Sequence, residues 1–118
     1  MVVLSDGLER GDPADAIYLL AAGEVSVIVD LPGTRPGKRL LFSTHMDTVP
    51  LCAGAKPRRD GDRIVSDGTT ALGGDARTGV ALLVVVAETL IKKNLPHPPI
   101  NLLFTVREES GLHGAREL

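Results

Sequence analysis

Along the chain the apolar positions change period several times, and each change marks an element. Between Glu24 and Leu31, Val25, Val27 and Val29 recur at every second position with Ile28 added, which predicts a strand. Pro32 to Gly37 is a turn. Lys38 to Thr44, through Arg39-Leu40-Leu41-Phe42-Ser43, reads as a second strand, and the two are expected to pair as a hairpin with a loose connection. Val49 to Asp62 reads as a loop containing two prolines, Arg63-Ile64-Val65 as a short added strand, and residues 67–74, rich in Gly and Thr, as another loop. Ala76 to Lys93 predicts one helix, apolar on nearly every side until its end and therefore expected to be buried. Lys92 and Lys93 suit its C-terminus, and Asn94-Leu95-Pro96 stops it. After a turn at His97-Pro98-Pro99, Ile100 to Val106 is a strand, and Leu112 to Leu118 begins a further helix. Ahead of all these, Asp12-Pro13 offers an N-cap and a first-position proline for a short helix running to Leu20 and closed by Gly23. Strand, strand, loop, helix, strand, helix is the order of an α/β fold, a mixed sheet flanked by helices.

Composition narrows the picture. The 118 residues suit one domain, and a hydrophobic content of 43% supports a folded one. Aromatic residues make up only 3%, so the core is expected to be built from Val, Leu, Ile and Ala, a choice that suits strands covered on both faces. The net charge of −2, without a basic stripe or interleaved aromatics, gives no case for nucleic acid as a partner. The longest apolar block, Val80 to Ala87, is far short of a membrane span, and Met1 to Gly7 has no basic segment of the kind an export signal carries. A cytoplasmic protein with no membrane partner is the expectation. The single cysteine, Cys52, rules out an internal disulfide and is expected to be a bystander.

Three clusters carry candidate chemistry. In Ser43-Thr44-His45-Met46-Asp47-Thr48-Val49-Pro50, a histidine at the end of a strand can offer one ring nitrogen to a metal. Asp47, two residues on, can accept the other N–H and fix the tautomer. Taken alone, His-x-Asp is more often a strand-end histidine in a polar turn. In Gly73-Gly74-Asp75-Ala76-Arg77-Thr78-Gly79 the carboxylate stands at the start of the helix, where it can cap the helix or bridge two cations. In Arg107-Glu108-Glu109-Ser110-Gly111 two adjacent glutamates follow a strand. Such pairs are often solvated surface groups, but this one lies at the carboxyl end of a sheet strand, where α/β proteins place their sites. One glutamate could bind metal and the other take a proton from water. His97, in its Pro-rich turn, is expected to face solvent, and His113 to be structural.

Taken together, Phe42 to Pro50, Thr69 to Ala81 and Thr105 to Ala115 resemble three ordered motifs of the M20 metallopeptidases, most closely the peptidase T-like tripeptidases. The resemblance covers roughly Glu24 to Leu118. It implies a zinc-dependent exopeptidase-like fold, with two zinc ions per complete site and cobalt or manganese as substitutes. It implies that His45, Asp75 and Glu109 bind metal, Asp75 bridging, that Asp47 orients His45, and that Glu108 is the general base. It also makes Asp75–Ala76 a candidate cis peptide bond. The substrate would be a short peptide opened from its N-terminus, and the full-length protein a homodimer. An N-acyl amino acid deacylase of the same family and a catalytically inactive α/β fragment are the alternatives. Ala76 stands where peptidase T-like members often carry a second Asp. The family's further zinc ligands and its lid or dimerisation domain have no counterpart here, so residues 1–118 are expected to be a partial, incomplete catalytic domain.

Overall fold

The computed structural model describes residues 2–4, 15–21 and 24–116. Its elements are β1 (Val2–Leu4), β2 (Asp15–Ala21), β3 (Glu24–Leu31), β4 (Leu40–His45), β5 (Pro57–Asp60), β6 (Arg63–Ser66), α1 (Gly74–Lys92), β7 (Ile100–Thr105) and α2 (His113–Arg116). A five-stranded sheet has the order β1-β2-β3-β7-β4, and β5 with β6 forms a separate two-stranded hairpin. The large sheet is mixed: β7 runs antiparallel to β3 and parallel to β4.

β7 is the centre of the fold. Ile100, Leu102 and Phe104 alternate along it and are all buried, so one face of the strand meets Leu31 and Leu83 of α1 in the core. Val80, Ala87 and Leu90, at helical spacing from Leu83, pack against the same cluster. Each such aliphatic side chain taken fully from water contributes about 1.5–3 kcal/mol. The core is aliphatic as composition predicts, apart from Phe104.

The strands at 24–31, 63–66 and 100–105 and the helix from 74 to 92 lie where the hydrophobic pattern puts them. Five expectations are corrected. β3 and β4 do not pair as a hairpin, because β7 lies between them. The connection passes over the start of β7: Thr34 and Arg35 donate backbone N–H groups to the His97 carbonyl at 2.9 and 3.1 Å, and Leu40 donates to that of Pro99 at 2.9 Å. Gly33 and Gly37 allow this crossing, since a Cβ at either would lie 2.5 Å from Pro99 or 2.8 Å from Pro98. His97 is buried beneath that crossing and does not face solvent; its Nδ1 lies 2.8 Å from the Pro98 carbonyl.

Residues 15–21 form a strand and not a helix, paired along their length with β3; the expected cap at Asp12-Pro13 and the stop at Gly23 lie outside the described residues. Pairing with a strand already in place outweighs a weak helix signal. The loop expected at 49–62 contains a short 3-10 turn at Pro50–Cys52 and the strand β5, whose Pro-Arg-Arg-Asp sequence carries no apolar alternation to reveal it. Finally, α1 is buried on one face only. Leu82, Val84 and Val85 are exposed although they are apolar. Lys92 pairs with Glu88 at 2.9 Å in its last turn, and Asn94, at φ 46°, ends it. The helix expected at 112–118 is described as α2, and residues 117–118 lie outside the described part.

Candidate metal centre

Because β4 and β7 are parallel neighbours, with His45 in register with Thr105, they end at the same edge of the sheet. The Met46 N–H extends the ladder by donating to the Thr105 carbonyl at 2.8 Å. The first and third clusters are therefore adjacent although about sixty residues apart. The second arrives with α1. A Cβ at Gly79 would lie 2.5 Å from Thr44 Oγ1, so only a glycine there lets the helix approach β4 this closely. Thr44 Oγ1 in turn donates to the Ala76 carbonyl at 3.4 Å, next to Asp75. The Asp75–Ala76 peptide bond is cis, and Gly73 before it has a φ of 75°.

His45 is buried at the focus of these elements. Its Nε2 lies 3.0 Å from Asp75 Oδ1 and 3.8 Å from Glu108 Oε2. Its Nδ1 lies 3.1 Å from the Asp47 backbone carbonyl and 3.4 Å from Asp47 Oδ1. At the shorter distance, the carbonyl is better placed than the carboxylate to accept a proton carried on Nδ1. With the proton on Nδ1, the Nε2 lone pair faces a carboxylate oxygen at 3.0 Å, an arrangement that a cation between them relieves. Without metal that cation is a proton. Burial works to lower the His45 pKa, but the Asp75 hydrogen bond, the Asp47 carbonyl and the charges of Glu108 and Asp47 outweigh it and raise the value above 6.5.

The Asp47 carboxylate does something the sequence did not reveal. Oδ1 accepts the Glu108 N–H and Oδ2 the Glu109 N–H, each at 3.2 Å. Burial would raise its pKa, but these amides, its own N–H and His45 hold it below the usual carboxylate value. Beyond Glu109 the chain turns back, with Gly111 and Leu112 donating to the Glu108 carbonyl at 3.0 and 3.1 Å. Asp75 makes no cap bond to α1, and its side chain is 86% exposed, so the capping alternative is not what its carboxylate does.

All five candidate residues, His45, Asp47, Asp75, Glu108 and Glu109, thus meet at one edge. Within the group, donor atoms of His45, Asp75 and Glu109 lie within 4.8 Å of one another, one imidazole nitrogen and two carboxylate oxygens. That donor set fits zinc, and also cobalt or manganese. A groove of about 470 Å³ opens beside it, lined by Val49, Cys52, Leu72, Gly73, Asp75 and Glu109 among others. Cys52 is a buried wall residue of this groove, while His97 and His113 are not among the grouped donors. Thr44 and Gly79 also position the site, and the one sequence signal for them is the glycine in Arg77-Thr78-Gly79, in the first turns of a helix.

A mixed α/β sheet with a His–carboxylate cluster at the carboxyl ends of two parallel strands is the frame of a metallopeptidase. The model of Peptidase family M28 matches residues 26–118, and the chain belongs to that family, which is related to the M20 family whose motifs it resembles. Uncharacterized protein YqjE of Bacillus subtilis (strain 168) is 36% identical over 104 residues, 88% of this chain and 28% of that protein. A tripeptidase structure from Staphylococcus aureus superposes with a TM-score of 0.76 at 38% identity, covering 81% of this chain and 26% of that one. Aminopeptidase PepT from Bacillus cereus superposes with a TM-score of 0.73 at 45% identity, covering 79% and 25%. These likenesses make the chain a peptidase T-like region, one that spans about a quarter of the length of such relatives. Among the described residues no helix is long and apolar enough to cross a membrane.

Proposed function

We propose that this chain carries part of a two-zinc peptidase centre that opens short peptides from their N-terminus, as a partial catalytic domain of a cytoplasmic, homodimeric enzyme. The observation that carries the reading is the convergence of His45, Asp75 and Glu109 donor atoms within 4.8 Å, with the Glu108 carboxylate beside them. Peptidase T-like relatives support the peptide as substrate over an N-acyl amino acid.

In this reading His45, through Nε2, Asp75 and Glu109 would hold the metal. Bound zinc supplies Lewis acidity toward the scissile carbonyl and makes water more acidic. Glu108 receives the proton of the attacking water at its carboxylate as the new C–O bond forms. It passes that proton to the amine nitrogen as the C–N bond breaks. Glu108 is half-buried, and its carboxylate stands 3.8 Å from His45 Nε2, which places it at the metal cluster for this exchange. Asp47 and the Asp47 carbonyl hold the imidazole.

The test is zinc stoichiometry together with tripeptide hydrolysis. Glu108→Gln is expected to keep metal binding while lowering kcat by about a hundredfold or more, the scale of general acid–base catalysis. Glu109→Ala is expected to lose zinc affinity first. Full hydrolysis by Glu108→Gln would remove that glutamate from its role.

A further inference from the structure

Asp47 is placed to orient His45, with Oδ1 3.4 Å from Nδ1, yet its carboxylate makes closer contacts on its other side. Both accept backbone amides, Oδ1 that of Glu108 and Oδ2 that of Glu109, each at 3.2 Å. The segment they hold begins at Arg107, whose φ of 55° lies in the left-handed region. Two successive amides turned toward one carboxylate form a concave anion site of the kind that fixes a backbone turn. The hold on the histidine, by contrast, comes mainly through the Asp47 backbone carbonyl, at 3.1 Å from Nδ1 against 3.4 Å for the carboxylate.

We infer that Asp47 is a two-way positioning residue: its main chain sets the ring of His45, and its carboxylate independently sets the turn that presents Glu108 and Glu109. The inference rests on the proposed roles of the two glutamates for its consequence in catalysis, but not for its geometry. Side chains on a turn move with its φ/ψ angles, so losing two charge-assisted hydrogen bonds lets both carboxylates drift from His45 and Asp75. One substitution at Asp47 therefore disturbs base and metal ligand together, with the imidazole still held where a main-chain carbonyl remains.

Amide hydrogen exchange on the metal-free chain tests this without reference to activity. In Asp47→Ala, the Glu108 and Glu109 amides are expected to exchange about tenfold faster or more, the scale of a hydrogen bond to a charged acceptor, while the β7 amides of Leu102 and Phe104 stay protected. Asp47→Asn, which keeps one acceptor oxygen and the side-chain shape, should free one of the two amides and serves if the alanine variant does not fold. His45→Ala should leave both amides protected, because their bonds do not run through the ring. Unchanged exchange at both amides in Asp47→Asn, or their release in a folded His45→Ala, overturns the inference. A second readout is zinc titration: the affinity lost on Asp47→Ala should be smaller in a Glu109→Ala background than in the unsubstituted chain, and equal losses in the two backgrounds count against coupling through the turn. A chain that binds no zinc but passes the exchange test would sink the functional reading and leave the positioning role standing.

Discussion

At the scale of single residues, the site is governed by one contact: His45 Nε2 and Asp75 Oδ1 lie 3.0 Å apart, a spacing that favours a cation between them. In metal-free protein the proton that fills this place makes stability depend on pH. The folded-state pKa of His45 is raised, so its contribution is fully present below the unfolded value near 6.5 and is lost as pH rises through the higher folded value. The thermal midpoint in chelator is expected to fall as pH climbs from below 6.5 through the raised folded value, and His45→Gln to flatten that slope. A slope unchanged in His45→Gln would assign it to other groups. Asp47 works in the opposite sense at the acid end. Its folded pKa is depressed, so its contribution is present above the unfolded value near 3.8 and disappears as pH falls through the lower folded one. Zinc competes with the His45 proton, so its affinity should weaken as pH drops, by up to about tenfold per unit once the ring is protonated. The residue types of this site were legible in the sequence because His, Asp and Glu announce themselves. What was hidden is which atom faces which: that the Asp47 carbonyl takes the ring N–H while its carboxylate takes two amides is a matter of backbone direction, which spacing does not encode.

At the scale of elements, periodicity showed β3, β7 and α1 because each buries an apolar face, and it failed where pairing or crossing decides. Nothing in the alternation of residues 24–31 and 38–44 tells an adjacent pair from a pair with a third strand between, and a long connection permits both. Residues 58–59 gave no alternation because β5 is exposed on both faces. The prolines around His97 point to an exposed turn, whereas its burial comes from the β3–β4 connection crossing above it. The contact that sets the site at this scale is α1 on β4 at Gly79. A methyl group there would lie 2.5 Å from Thr44 Oγ1 and 3.3 Å from Thr44 Cβ, so turning the hydroxyl away does not fully relieve it. Gly79→Ala is expected to cost about 1–3 kcal/mol by overpacking. It should also weaken zinc binding, since Asp75 enters the site on the helix that is pushed outward. Denaturant midpoints and zinc titration of the same variant check both parts. A destabilised variant with unchanged zinc affinity would show that Asp75 is positioned by its own loop and not by the helix.

At the scale of the whole molecule, the core and the surface tell different stories. Among the described residues, five apolar side chains form the buried cluster, all grouped where α1, β3 and β7 meet. Outside it, Leu41 is 64% exposed, Leu82 62% and Val85 58%. β4 is the end of the sheet order, so one side of its backbone ladder is unpaired within the described residues, and Leu40, Leu41 and Phe42 on it are all exposed. Natural edge strands guard themselves with charge, proline or a bulge, and Leu40 to Thr44 has none of these side chains. α1 shows the same excess, which is why its nearly unbroken apolar sequence suggested complete burial. As a separate species, the 118-residue chain is therefore expected to self-associate, its oligomeric fraction rising with concentration in light scattering behind size exclusion. Replacing Leu41 by Lys and Leu82 by Glu should shift it toward monomer while moving the denaturant midpoint by less than about 0.5 kcal/mol, because neither side chain contributes to the core. A chain that stays monomeric without those changes would mean that apolar exposure on β4 and α1 is tolerated in water. A doubly substituted chain that unfolds would mean that these side chains are buried in solution after all, and that the edge at which His45 stands is more enclosed than the fold indicates.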